Sequence, residues 1–169
     1  KETKQYEYQA KDEITYKVTV KNQNEKAKTA YFTIQDTSFA SVMDMKLQDI
    51  KINGLDKEDY ILQTENNGFI LKSKGDYALP YGQTIEITYT VKSGVLTNGK
   101  VIDNTVSAWA AGIPETKASR QVYINSPKNN VIKSAPVQLY KKGDHVTYQA
   151  VITNPNPGTF MRNLEIQDC

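Results

Sequence analysis

The strongest constraint on the fold is an internal repeat: residues 1–36 align without a gap to residues 133–168, an offset of 132 residues. The identical pairs include Lys1/Lys133, Tyr8/Tyr140, Asp12/Asp144, Thr15/Thr147, Tyr16/Tyr148, Asn22/Asn154 and the triplet Ile34-Gln35-Asp36/Ile166-Gln167-Asp168. A period this long is typical of an array of like domains. We therefore interpret residues 1–125 as one complete repeat, 126–132 as a linker and 133–169 as the truncated start of the next repeat.

The patterned segments read as β-strands. Apolar and polar residues alternate strictly over Ile14–Val20 and Ile85–Val91, and again from Val146 through Tyr148 onward. Alternation with a period of two is typical of strands that bury one face. Turn sequences such as Asn53-Gly54 and Thr97-Asn98-Gly99 bound these runs. Short strands at this spacing, without a sustained helical period, predict an all-β fold, an antiparallel β-sandwich.

Composition narrows the function classes. The 21 basic and 19 acidic residues are intermixed and give a net charge of +2, so we expect no nucleic-acid partner. One cysteine and one histidine predict neither an internal disulfide nor a metal site. We expect no cofactor, and no membrane contact by this segment, because no apolar run reaches the roughly 20 residues that span a bilayer. No catalytic triad or nucleotide motif is present, so an enzyme is not expected.

Two polar residues occupy positions that the alternation assigns to apolar faces. Asp36 has the same parity as Phe32 and Ile34, and Asn104 has the same parity as Val106. Successive side chains of a strand point to opposite sides, so both residues should point into the core.

The second copy repeats part of this pattern and adds a lysine. Asp168 again has the same parity as the apolar residues before it, Leu164 and Ile166. Lys133 shares one face with Val131 and Ala135. The repeat then predicts an inward position for the equivalent lysine, Lys1. Because the second copy ends before an equivalent asparagine, we expect it to form no bond of its own within this chain.

A buried lysine, aspartate and asparagine are costly unless they satisfy one another or react. Burial lowers the pKa of an amine and raises that of a carboxyl group, so the pair can meet as neutral amine and protonated acid. A neutral amine is a nucleophile, and a carboxamide beside a protonated acid is a polarised electrophile. Lys1 and Asn104 could then form an isopeptide bond with loss of ammonia, and Asp36 would shuttle the proton.

These residues resemble a known family. The layout Lys, then Gly/Lys-Asp-x-Val/Ile-Thr-Tyr, then Asn, then Ile-x-Asp, followed by Asp103-Asn104-Thr105-Val106, is similar to the isopeptide-forming Ig-like domains of Gram-positive pilins and wall-anchored adhesins. It is also similar to related repeat domains of long bacterial surface proteins. The resemblance implies an Ig-like sandwich, a cross-linking Lys1 on the first strand, a buried acid at Asp36 and a partner Asn104 on a late strand. Lys133 and Asp168 are the equivalents in the second repeat.

The same resemblance implies a structural stalk or adhesin module, extracellular and anchored to the cell wall, whose partners are neighbouring repeats. The alternative is an adhesive domain without a cross-link, which would bind a host protein or glycan through loops such as Asp56–Tyr60 or Tyr77–Gly82. Within the site, Lys4 is the rival for the amine and Glu86 the rival for the acid. Asn104 could instead belong to the turn that follows Asn98-Gly99.

Overall fold

The computed structural model describes residues 1–25, 28–37, 45–65, 67–94, 99–125, 130–136, 139, 141–154 and 164–167. Within these ranges the regular elements are all strands and none is a helix, which confirms the all-β prediction. The strands are β1 (Glu2–Thr3), β2 (Glu7–Gln9), β3 (Glu13–Lys21), β4 (Thr29–Ala30), β5 (Thr33–Asp36), β6 (Lys46–Asn53), β7 (Tyr60–Glu65), β8 (Gly68–Ser73), β9 (Ala78–Leu79), β10 (Thr84–Lys92), β11 (Val101–Ala110), β12 (Ile113–Asn125), β13 (Asn130–Ser134) and β14 (Gln149–Thr153).

The chain divides into two compact units, Lys1–Asn125 and Ser126–Cys169. The first unit contains a four-stranded sheet of order β1-β3-β10-β6, a six-stranded sheet of order β2-β12-β11-β5-β8-β7 and a separate two-stranded ladder, β4–β9. The pairings are antiparallel except for β2, which runs parallel to β12. The first sequence segment is therefore split: β1 joins one sheet and β2 joins the other.

The core lies between these sheets because the alternating strands bury one face each. In β3 the even positions from Ile14 to Val18 are buried and their neighbours are more exposed. In β10 the odd positions from Ile85 to Val91 are buried. The two strands pair so that Tyr16 lies opposite Tyr89, and the buried faces form one continuous apolar layer.

Both copies of the repeat have a tight turn at equivalent positions, before β3 in the first copy and before β14 in the second. In the first, the backbone N–H of Gln9 donates to Asp12 Oδ2 at 2.9 Å. In the second, the N–H of Lys141 donates to Asp144 Oδ2 at 2.7 Å. The residue before each aspartate has a positive φ, 71° at Lys11 and 99° at Gly143. The repeated aspartate thus holds a turn.

The second unit contains the two-stranded antiparallel sheet β13–β14. Residues 130–132, which the sequence assigned to the linker, already belong to β13. The alternating run from Val146 through Tyr148 precedes its strand rather than starting it, since β14 begins at Gln149.

The predicted inward position of Lys133 is wrong for this structure, because Lys133 and Val131 are both exposed. A strand face becomes buried only when a second sheet packs on it, and the described part of this unit forms a single ladder. The Lys133 ammonium lies 4.6 Å from the ring centre of Tyr148. Asp168 lies outside the described residues.

Candidate functional site

The site starts with a buried ion pair that bridges the two sheets. Lys1 directly precedes β1, whose first residue, Glu2, pairs with Lys17 of β3. Asp36 is the last residue of β5, on the opposite sheet. Lys1 Nζ donates to Asp36 Oδ2 at 2.6 Å, and neither side chain is exposed to solvent. A charged pair this deeply buried carries a large desolvation cost, so its position requires an explanation beyond surface electrostatics.

Two further side chains extend the pair into a hydrogen-bonded chain. The Tyr89 hydroxyl, from β10, donates to the same oxygen of Asp36. Asn104 Nδ2, from β11, donates to the Tyr89 hydroxyl at 3.0 Å. Asn104 and Asp36 are fully buried. Lys1, Asp36, Tyr89 and Asn104 are thus connected in that order by successive hydrogen bonds between the sheets.

Aromatic rings enclose this cluster. The Tyr16 and Tyr89 rings stack with centres 5.4 Å apart, and the Phe69 ring meets Tyr89 edge-on with centres 5.1 Å apart. Lys1 Nζ lies 4.9 Å from the centre of the Tyr16 ring and 5.5 Å from that of Tyr89. Ring faces attract a cation, and their bulk keeps water away from the polar atoms. The cluster therefore lies in a medium of low polarity, where its charges interact strongly.

Burial shifts the protonation equilibria of the site. Desolvation lowers the pKa of the Lys1 amine from 10.5 to about 8, although the neighbouring Asp36 carboxylate opposes the shift. Desolvation also raises the pKa of the Tyr89 hydroxyl, and the Asp36 charge adds to that effect. The Lys1 amine therefore loses its proton more readily than an exposed lysine does, whereas Tyr89 keeps its proton and remains a hydrogen-bond donor.

The structure gathers the three residues that the sequence selected and leaves both rivals outside. Asp36 and Asn104 are buried, as the strand alternation predicts. The Lys1 side chain is buried against Asp36 and the rings of Tyr16 and Tyr89. Lys4 is exposed. Glu86 forms an ion pair with Lys17 on the outer face of the four-stranded sheet.

Sequence reasoning missed Tyr89 as a member of the site. The alternation of Ile85–Val91 does place it on the buried face, and a buried tyrosine hydroxyl usually has a hydrogen-bond partner. Its partners, however, come from β5 and β11 on the opposite sheet. No local pattern in β10 identifies them.

Two other kinds of site are absent from the described ranges. No group of three or more histidine, cysteine, aspartate or glutamate side chains in these ranges is placed to hold a metal ion. Within the same ranges, no helix has the length and apolar character needed to cross a bilayer.

Comparisons with known proteins identify the fold. No protein-family model and no curated protein matches the sequence. Among solved structures, the N-terminal domain of the Streptococcus gordonii adhesin Sgo0707 is similar with a TM-score of 0.59 and 16% identity, over 73% of this chain and 31% of that one. BcpA, the major pilin subunit of Bacillus cereus, has a TM-score of 0.53 and 12% identity, over 76% of this chain and 38% of that one.

Domains D2 and D3 of the major pilin SpaD from Corynebacterium diphtheriae cover 82% of this chain and 54% of their own, with 17% identity and a TM-score of 0.48. The chain thus spans only a third to about half of the length of these proteins. At such low identity the likeness establishes the fold alone. The resemblance to pilin and adhesin domains seen in the sequence is confirmed at the level of fold.

Proposed function

We propose that residues 1–125 form a structural module of a Gram-positive cell-surface protein, a stalk or adhesin repeat stapled by an isopeptide bond between Lys1 and Asn104. The observation that carries the proposal is the solvent-free chain of hydrogen bonds from the Lys1 amine through Asp36 and Tyr89 to the Asn104 carboxamide. In a non-reacting core, well-packed apolar groups are often at least as stable as a buried ion pair, because such a pair has a large desolvation cost.

The chemistry begins with proton transfer from the Lys1 ammonium to Asp36, which removes both buried charges. The neutral Nζ attacks Cγ of Asn104 while Asp36 donates its proton toward the amide, so that negative charge does not build up on the oxygen. The Nζ–Cγ bond forms and the Cγ–Nδ2 bond breaks. Asp36 then carries one proton of the attacking amine to Nδ2, which leaves as ammonia. As the carbonyl re-forms, the proton on its oxygen returns to Asp36, which ends the reaction protonated and neutral. The reaction occurs once per molecule, so no substrate pocket or cofactor is required.

The bond would change how the module carries force. Lys1 is next to β1 in the four-stranded sheet, and Asn104 lies on β11 in the six-stranded sheet. Tension that enters at the first strand would pass through the amide to β11, and the strands between them in sequence would remain unloaded. An amide also survives the reducing agents that open disulfides. This property suits a chain with a single cysteine.

The proposed function implies that the module is extracellular and belongs to a parent protein anchored to the cell wall. Its expected partners are neighbouring repeats of the same protein. The proposed self-modification makes the chain its own single-use substrate, and we do not assign it an enzyme's turnover. The likeness in fold to domains of an adhesin and a pilin supports this setting.

The test of the proposal is the intact mass of the denatured protein. Cross-linking expels ammonia, so the native sequence should be lighter than calculated by about 17 Da. Lys1→Ala, Asp36→Ala and Asn104→Ala should each restore the full mass. Lys4→Ala is the matched control, since this exposed lysine lies outside the cluster, and it should keep the deficit. Full calculated mass in the native protein would refute the cross-link.

A binding role without a cross-link is the second candidate, and two exposed tyrosines favour it. Tyr31 and Tyr81 are 61% and 55% exposed, and they follow the paired strands β4 and β9 closely in sequence. Tyrosines at such positions are common anchors in protein recognition. Binding of a host protein or glycan that is lost in Tyr31→Ser and Tyr81→Ser, with the mass unchanged, would support this role.

A further inference from the structure

A groove of about 630 Å³ opens into the first unit at the outer edge of β3. Its walls are mostly apolar and include Val18, Val20, Ile34, Val106 and Trp109. These residues come from both sheets, so the groove leads directly into the space between them. Val18, Ile34 and Val106 are nearly fully buried, whereas Val20 and Trp109 are partly exposed. A further strand along the edge of β3 could cover these two side chains.

The groove exists because the edge of β3 is covered at one end only. β1 pairs with β3 through Glu2 and Thr3, opposite Lys17 and Tyr16. Over the part of the chain that the structure describes, no strand pairs with this edge from Val18 to Lys21. On the opposite sheet, β2 pairs only with the last three residues of β12, Tyr123–Asn125.

The second unit contains the corresponding ladder in a longer form. Shifted by the repeat offset, the pair Ser134↔Gln149 is equivalent to Glu2↔Lys17, so β13–β14 has the same register as β1–β3. In the second unit the ladder continues for four more pairs, through Lys133 to Asn130, which lies opposite Thr153. The positions of β3 equivalent to these four partners are 18–21, the uncovered ones.

We infer that the groove of the first unit is the seat of a strand formed by the residues directly before the first lysine of the repeat, with the sequence Asn-Val-Ile found at 130–132. In a repeated array this segment comes from the end of the preceding linker. The end of the linker is then not a free tether but the beginning of the first strand of the downstream domain. This inference is independent of the proposed cross-link.

The side-chain chemistry fits the register. Residues directly opposite each other in an antiparallel ladder point to the same side. Val131 lies opposite Ile152, whose equivalent in the first unit is the groove residue Val20. The valine of the added strand would therefore enter the apolar groove two residues before the inward Lys1. In the second unit Val131 is 60% exposed. This exposure is expected, because the described part of that unit has no opposing sheet to cover the valine.

The experiment compares three proteins: the chain starting at Lys1, the same chain with Asn-Val-Ile fused before Lys1, and a control whose extension has Asp in place of Val. Trp109 lines the groove and is the single tryptophan, so its fluorescence reports occupancy. Backbone hydrogen exchange over 18–21 reports the added ladder.

The valine extension should blue-shift the Trp109 emission, slow exchange over 18–21 by at least about tenfold and raise the melting temperature by about 5 °C. The aspartate extension should do none of these, because a charged side chain is disfavoured in an apolar groove. The inference is overturned if the two extensions give equal protection and equal emission. Intact mass, measured on the same samples, reports the cross-link separately.

Discussion

The stability of the first unit should depend on Lys1 and Asn104 as a coupled pair. A bond between them closes a loop of about 100 residues, and in the chain-entropy model this removes freedom from the unfolded state worth about 4–5 kcal/mol. For a unit of this length that corresponds to a melting-temperature difference of roughly 15–20 °C. Lys1→Ala and Asn104→Ala each eliminate the bond completely.

A double-mutant cycle isolates this quantity from the local damage of each substitution. The double variant Lys1→Ala/Asn104→Ala loses the bond only once, so the two single effects should overlap by about 4–5 kcal/mol. Each substitution also loses packing and hydrogen bonds to Asp36 or Tyr89. These losses are the same in the native protein and in the other single variant, so they largely cancel in the coupling energy. The assay is guanidinium unfolding followed by Trp109 fluorescence and circular dichroism, with reversibility verified for each variant.

The control cycle uses Lys17 and Glu86, an ion pair with side chains 45% and 37% exposed. Partly exposed pairs couple by no more than about 1 kcal/mol. If the Lys1–Asn104 coupling falls in the range of noncovalent contacts, about 0.5–3 kcal/mol, the covalent interpretation is refuted. Agreement between the two cycles would refute it most clearly.

Three further perturbations test individual features of the cluster and its surroundings. Asn104→Ala retains a free Lys1 amine. Its free energy of unfolding should rise by an amount of the order of 2 kcal/mol between about pH 8 and pH 10.5, because the unfolded chain binds more protons than the folded chain in that window. Parallel denaturation curves of Lys1→Met/Asn104→Ala should lack this rise. Tyr89→Phe keeps the packed ring but removes the hydroxyl between Asp36 and Asn104, and mass spectrometry after cell-free synthesis should show the mass deficit forming roughly 10²-fold more slowly; an unchanged rate would assign the hydroxyl a packing role. Lys11→Gly should stabilise the unit by about 0.5–1 kcal/mol in the same denaturation assay, because φ is 71° there, whereas Lys11→Ala should not.

The sequence predicts a feature of this fold well when that feature depends on one strand. The alternation in β3 and β10 sets the buried faces, and the same parity places Asp36 and Asn104 in the core. The odd positions of the first segment, in contrast, are polar and do not predict an inward Lys1. The segment contributes only two residues to β1 before the chain joins the other sheet at β2, so a single period does not describe it.

Features that depend on more than one sheet were not predictable in this way. Lys133 shares its parity with apolar residues, which Lys1 does not, yet Lys133 is exposed, because a strand face is buried only by a second layer. Tyr89 has an inward parity, but its role depends on which groups β5 and β11 bring opposite it. The parallel pairing of β2 with β12 likewise depends on the path of the chain between the sheets.

The most direct test of the account is to locate the bond in a tryptic digest of the denatured protein. Acylation of Lys1 blocks cleavage after it, so residues 1–4 should appear as a branch on the peptide 101–117, which contains Asn104. Fragmentation should place the junction at Lys1 Nζ and Asn104 Cγ, with one ammonia lost. In Asp36→Ala the free Lys1 permits cleavage after it, so residues 2–4 and the peptide 101–117 should appear separately. Recovery of residues 2–4 and of the peptide 101–117, unlinked, from the native protein would contradict the account.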